Sequence, residues 1–422
     1  MNDHSNVIGR AAPRRLILTN GKVITPFRAI SRGGIAIENG LISAVFSETA
    51  GPADIWGGDD PAAECAQIID VGGRVIAPGF IDIHVHGGGG SDVMDGGPDS
   101  ILIMAQAHAK GGSTSIVPTT TTSSREDLLG ALDSVRLAMA QSTTLPGGGA
   151  NILGLHLEGP YLSTAQKGAQ DPRHIKTPNP IEYVEILNYS KNILRMSVAP
   201  ELPGAMELGA ELRRRGILPS IGHTGATHDE MIKAVEFGYS HVTHLFSGMS
   251  GVRRVNAYRI AGAIESSLLL DDLTVEIIAD GRHLPPSLIQ LTFRCKGSDK
   301  IALVTDAMRA AGMPDGSYKL GSLNDGQTVI VEDGVAKLPD RSSFAGSVAT
   351  MSRLVRTATI EAGIPLLDAL KMATVTPARI IGVDRSKGAL SPGKDADVVI
   401  FEEDDICVWM TIVGGQVVFR RD

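Results

Sequence analysis

Aromatic residues make up only 4% of the 422-residue chain. So few rings leave no base-stacking platform of the kind that single-stranded nucleic acids need. Positive charge is also short. The formal net charge is −8 and the pI is near 5.8, which argues against a nucleic-acid partner or an anionic membrane surface. The cysteines, Cys65, Cys295 and Cys407, are far apart and odd in number. They fit a reducing cytosol better than a disulfide framework, and the lack of a C-x-x-C pair excludes a thiolate zinc knuckle. No apolar run approaches the ~20 residues of a membrane span. The polar stretch Met1 to Ala12 lacks a signal-peptide core and reads as a loose tail. A cytoplasmic protein with no membrane partner is expected.

What the chain does have is an ordinary globular composition, 43% hydrophobic and 20% charged, in a length that allows one large domain and a smaller one. Residues Arg15 to Ile76 read as all-β. Leu16 to Leu18, Gly34 to Ile37, Leu41 to Val45 and Arg74 to Ile76 are short apolar strands, and Asn20-Gly21 and Asn39-Gly40 read as two-residue hairpin turns. Gly51 to Glu64 is loop-like. After Pro78-Gly79 strands alternate with helices. Strands are expected at Ile81 to His86, Ser115 to Val117, Ile152 to Leu157, Leu194 to Ala199, Leu218 to Gly222, His241 to Leu245, Thr274 to Ala279 and Ile301 to Thr305. Asp99 to Lys110 and Gly204 to Arg215 read as helices. Ser123 to Glu126 and Thr227 to Glu230 are capping boxes that open two more. Eight such units imply a parallel sheet closed as a (β/α)8 barrel. From Gly388 the chain turns β again, with Asp397 to Phe401, Val408 to Val413 and Gln416 to Phe419 around the turn Gly414-Gly415. The simplest architecture is an α/β fold: a TIM barrel, residues 78–385, inserted in a small β-sandwich domain built from both chain ends, residues 1–77 and 386–422.

The chemistry-bearing residues collect at strand ends. Glu158 sits at the tip of a buried strand that Gly159-Pro160 stops, and a carboxylate there needs a strong partner. A lone Glu in such a place is most simply a salt bridge or a cap. His84 and His86 stand two apart on one strand, so both rings face one side, a pattern that suits a transition metal. His223, His244 and Asp306 each end or follow a strand. Any one of these taken alone is a packed core or surface side chain. Together they occupy the strand C-termini where barrel enzymes place their sites, and a metal centre explains them better than coincidence. His283 follows another strand and should reach the same mouth. His156 and His241 read as packing residues, and His4, His108, His174 and His228 as tail, helix or loop residues.

The order β-domain, H-x-H, Glu, His, His, Asp, β-domain resembles the amidohydrolase superfamily. Within it, Leu155-His156-Leu157-Glu158-Gly159-Pro160-Tyr161, Ile221-Gly222-His223-Thr224, Thr243-His244-Leu245-Phe246, Ala279-Asp280-Gly281-Arg282-His283 and Thr305-Asp306-Ala307-Met308 resemble N-acetylglucosamine-6-phosphate deacetylases, over Leu16 to Phe419. The resemblance implies metal-dependent hydrolysis of the acetamide of an N-acetylated amino sugar, by a homodimer. It implies Glu158, His223 and His244 as ligands of the main divalent metal (zinc, iron, manganese or cobalt). His84 and His86 would hold a second ion, and Asp306 would be the catalytic base and acid. Ala169, Gln170, Ser247, Gly248, Arg259, His283, Phe344, Ala345 and Gly346 are the implied substrate contacts. The chain departs from the family pattern in three places. Ser247-Gly248-Met249 stands for Asn-Ala-Met, Ala169-Gln170 stands for a substrate-binding Thr-His or similar pair, and Asn256 aligns with the phosphate-binding arginine, with Arg253, Arg254 or Arg259 as possible replacements. Alternatives are an amidohydrolase acting on an unphosphorylated or different N-acetylhexosamine, or on another N-acyl or cyclic amide. A catalytically silent barrel is the third reading, and the presence of Asp306 weighs against it.

Overall fold

The computed structural model describes residues 15–48, 50–57, 65–142 and 147–422. The Met1 to Ala12 tail lies outside these residues, as do positions 58–64 of the Gly51 to Glu64 loop. Residues Pro52–Trp56 of that loop form one helical turn.

The eight barrel strands are β1 (Phe80–Val85), β2 (Ser113–Thr120), β3 (Leu155–Glu158), β4 (Ile193–Val198), β5 (Leu218–Ile221), β6 (His241–Val242), β7 (Thr274–Ile277) and β8 (Ile301–Leu303). Each pairs in parallel with the next. The ring closes where Asp306 N donates to His84 O at 2.9 Å and His86 N to Ala307 O at 2.8 Å. Alternation along β1 shows why the strands sit this way. Ile81, Ile83 and Val85 pack in apolar clusters. Asp82, His84 and His86 take the other face and point into the lumen. Thr227 caps its helix in a full capping box with Glu230, as the sequence reads. At the earlier box the cap falls one residue later than expected: Ser124 Oγ accepts from Asp127 N at 3.1 Å, and the helix is Arg125–Ser142.

Both chain ends contribute to one sheet. Arg15–Ile24 pairs with Ala29–Glu38, Gln67–Asp70 and Val75–Pro78, and Val398–Phe401 joins Val75–Pro78 to the C-terminal strands Val408–Val413 and Gln416–Arg420. Asn39-Gly40 is a tight hairpin turn, with both residues at positive φ. Asn20-Gly21 is not a turn. The strand runs through it as a bulge with Asn20 at φ +59°, because Asn20 Nδ2 bonds Asp70 and Gly21 lies against Ile76, where a Cβ would meet Cδ1 at 2.6 Å. Among the elements that the sequence reading left unnamed are two insertions. After β6 an exposed hairpin pairs Arg253–Val255 with Tyr258–Ile260. After β8 a three-stranded meander, Gly316–Leu320, Gln327–Glu332 and Val335–Lys337, folds over the barrel mouth. It returns through Phe344 to Ser347, where Ser347 N donates to Asp306 O at 2.7 Å.

Candidate active site

Six side chains from five strand ends converge on the C-terminal mouth of the barrel. Glu158 Oε1 stands 2.9 Å from His244 Nε2 and 3.2 Å from His223 Nε2. Its Oε2 stands 3.3 Å from His86 Nε2. His84 Nε2 is 3.6 Å from Glu158 Oε1 and 3.4 Å from Asp306 Oδ1, and His86 Nε2 is 3.1 Å from the same Asp306 oxygen. All six are buried. Burial alone would raise both carboxyl groups. His84, His223 and His244 hold Glu158 well below the usual range, and His84, His86 and His244 hold Asp306 below it. Burial disfavours charge on His86, yet Asp306 and Glu158 keep its pKa well above the ordinary value.

The backbone at this mouth is strained. His223, His244 and Asp306 lie at φ +46°, +29° and +49°. Left-handed non-glycine residues cost roughly 1–3 kcal/mol each and persist where the surroundings over-determine them. Here the turn out of the strand swings each side chain back over the lumen. Two glycines make room for it. At Gly346 a Cβ would meet Asp306 O at 2.8 Å, and at Gly248 it would meet His223 Nδ1 at 2.8 Å.

The donor set fits a divalent transition metal. His84, His86 and Glu158 form one group whose ligand atoms all lie within 4.8 Å of one another, and Glu158, His223 and His244 form another. Three of the four rings carry a second contact that orients them: His84 Nδ1 to Glu276 Oε2 at 3.2 Å, His86 Nδ1 to Thr119 O at 3.1 Å, His223 Nδ1 to Gln166 O at 2.8 Å. A ring that donates from Nδ1 presents its Nε2 lone pair to the centre. His244 Nδ1 is buried and has no partner among the described residues. A third acidic group, Asp171, His174 and Asp325, is of another kind. The Arg173 guanidinium lies between its carboxylates, with Nε 2.9 Å from Asp171 Oδ2 and Nη2 3.1 Å from Asp325 Oδ2, so the charge there is already met.

A cavity of about 330 Å³ opens above the six residues, at the small end of small-molecule pockets. Ala169, Gln170, Ser247, Gly248, His283, Phe344 and Gly346 line it, with Leu320 of the meander and Phe246. His283 is held by Asp280, whose Oδ2 lies 2.9 Å from Nδ1. Two of the expected contacts lie elsewhere. Ala345 is buried in the meander core, and Arg259 is exposed on the hairpin beside Arg253 and Arg254. Among the described residues that line the cavity there is no lysine or arginine. Gln170 is occupied on both sides: Nε2 donates to Glu158 Oε2 at 2.6 Å, and Oε1 accepts from Thr122 N at 2.7 Å. Sequence reasoning missed Glu276 and Thr119, which touch the histidines from other strands. Glu276, a lone carboxylate inside an apolar strand, carried a usable signal.

The model of the amidohydrolase family matches residues 75–418. The chain is 34% identical to the N-acetylglucosamine-6-phosphate deacetylase of Bacillus subtilis (strain 168), over 96% of this chain and 97% of that one. It is 35% identical to an N-acetylgalactosamine-6-phosphate deacetylase of Escherichia coli O157:H7, over 78% and 84% of the two chains. Among solved structures, the N-acetylglucosamine-6-phosphate deacetylase of Pasteurella multocida superposes with a TM-score of 0.85 at 31% identity, covering 96% of this chain and all of that one.

Proposed function

The chain belongs to the amidohydrolase family, and from that premise we propose that it hydrolyses the acetamide of N-acetylglucosamine-6-phosphate to acetate and glucosamine-6-phosphate. The observation that carries the reading is the centre formed by Glu158, His84, His86, His223, His244 and Asp306 beneath a cavity of single-sugar size. Glu158, His223 and His244 would hold the main divalent ion, and His84 and His86, with Glu158, would hold a second. When bound, such an ion supplies Lewis acidity, lowering the pKa of a water and polarising a carbonyl.

The protein's own residues do the rest. Asp306, ionised and at the floor of the cavity, takes the proton of the attacking water as its oxygen bonds to the acetyl carbon. As the C–N bond breaks, Asp306 returns that proton to the departing amine, which would otherwise leave poorly. His283, fixed through Nδ1 by Asp280, faces the cavity and supports the charge that builds on the carbonyl oxygen. Phe344 and Gly346 close over the sugar, and the glycine allows close backbone approach. The 6-phosphate meets no lysine or arginine in the cavity lining, so Arg253, Arg254 or Arg259 of the exposed hairpin is the candidate partner for it. Val252, Val255 and Tyr258 are exposed on the same hairpin, a surface that the expected homodimer would cover. The three free cysteines suit a reducing cytoplasm.

The deciding experiment measures acetate release from N-acetylglucosamine-6-phosphate, N-acetylgalactosamine-6-phosphate and their unphosphorylated forms, with metal analysis of the same sample. Turnover is expected on the first and needs a divalent ion. Metal-loaded protein inert towards all four sugars would reject the reading.

A further inference from the structure

Beneath the metal centre the barrel lumen is polar, where such barrels are ordinarily filled by branched apolar side chains. Arg195 in β4 and Glu276 in β7 are both fully buried. They form an ion pair across the lumen, Arg195 Nη1 against Glu276 Oε1. Arg195 also donates to Ile83 O at 3.3 Å and to Thr243 Oγ1 at 3.1 Å. His241 Nε2 stands 3.4 Å from Glu276 Oε1. Neither charged residue lines the cavity.

Stability is a weak reason to keep such a pair. Withdrawing two charges from water costs about as much as their attraction returns, and apolar residues of similar volume often serve as well or better. The other carboxylate oxygen gives a stronger reason. Glu276 Oε2 lies 3.2 Å from His84 Nδ1 and accepts the backbone N–H of His244 at 3.1 Å. One oxygen therefore touches two residues of the centre. It fixes which nitrogen of His84 carries the proton, leaving the Nε2 lone pair towards Glu158 and Asp306. It also anchors the chain at His244, where the backbone is at φ +29° and the ring's own Nδ1 has no partner among the described residues.

We propose that Glu276, paired with Arg195, is a positioning residue of the metal centre that sets the tautomer of His84 and the backbone at His244. The inference rests on the metal reading given above and assigns the barrel floor a part in it. Outer partners of metal-bound histidines typically change metal affinity by about 10–100-fold.

The test replaces both charges together, as Arg195→Met with Glu276→Leu, so that neither is left buried and alone. Divalent-ion affinity is measured by competition with a chelator, alongside the melting temperature of the metal-free protein. The expected result is affinity about 10–100-fold weaker at a melting temperature close to wild type. Unchanged affinity would overturn the proposal and leave the pair as packing. A second measurement does not depend on the double variant. In metal-free wild-type protein with 15N-labelled histidine, the His84 signals, assigned by their loss in His84→Asn, should report a proton on Nδ1. A proton on Nε2 alone would overturn the proposal as well. Wild-type protein that binds no divalent ion would instead sink the metal reading, and the tautomer measurement would still decide the Glu276 contact.

Discussion

At the scale of single residues, Asp306 and Gln170 can be separated from their surroundings by substitution. Asp306 sits at φ +49°, a conformation that asparagine tolerates better than most residues. Asp306→Asn therefore keeps the size and the backbone and removes the base. General acid–base groups are typically worth about 10²–10⁴-fold, and in the proposed mechanism this one would serve in both directions. Turnover should fall by at least that upper figure, with bound metal and melting temperature nearly unchanged. Turnover within about tenfold of wild type, below the range for such groups, would remove Asp306 from the chemistry. Gln170 was expected to touch substrate, yet its amide is bonded to Glu158 and Thr122. A hydrogen bond to a charged group is worth about 1.5–3 kcal/mol. Gln170→Ala should therefore weaken metal binding by roughly tenfold or more, since 1.4 kcal/mol is a factor of ten. A raised KM with metal affinity unchanged would return Gln170 to the substrate role.

At the scale of elements, the strand ends carry the site, and β1 gives the cleanest test of how many ions it holds. His84 and His86 share one face of that strand and both reach Glu158. The pair His84→Asn, His86→Asn should lower metal content by about one ion per chain in a two-metal design. Unchanged stoichiometry by elemental analysis would make the pair structural. Elements were also what the sequence displayed best. The barrel strands read as short runs ended by Gly, Pro or a polar residue, so strand ends and residue type drew attention to Glu158, His223, His244 and Asp306, and the family resemblance gave them their expected roles. What escaped depends on distance along the chain. Nothing local says that Glu276 meets His84, 192 positions away, or that Asn20-Gly21 bulges rather than turns because Asp70 and Ile76 hold it. The meander after β8 was missed for a different reason. Its first strand is half-exposed and mostly polar and registers weakly in apolar patterning, whereas Val329 to Val331 followed by Asp333-Gly334 is a hairpin signal that the sequence reading passed over. It nonetheless supplies the wall of the cavity at Leu320 and, through the return loop, Phe344 and Gly346.

At the scale of the whole molecule, the sheet from the chain ends and the barrel share a core, and this bears on how the protein unfolds. Val75, Ala77, Val399, Phe401 and Val408 belong to the same buried cluster as the outward faces of the barrel strands. The rings of Phe80 and Phe401 lie 6.4 Å apart. Thr411 Oγ1 donates to Ala109 O at 2.8 Å. Gly112 sits where a Cβ would meet Phe80 and Val399 at 2.8 Å. The sheet has a second cluster of its own on its other face, around Leu16, Ile35, Ile76 and Ile400, but removing the C-terminal strands would uncover the flank of β1 and the helix Pro98–Lys110, so the barrel's core is incomplete without the sheet. Chains of this length often unfold in steps. Here the shared core should give a single calorimetric transition for sheet and barrel together. A bound metal should act on that transition as a whole, because the residues proposed to hold it come from the end of β1, from β3 and from the turns after β5 and β6. An ion that binds only the folded state stabilises it by RT ln(1 + [L]/Kd), about 4 kcal/mol at a thousandfold excess over Kd. Thorough chelation should thus lower the one melting temperature by several degrees without splitting it. Two resolved transitions would show that sheet and barrel fold independently. A single transition indifferent to chelation would show that the centre contributes nothing to the folded state's stability.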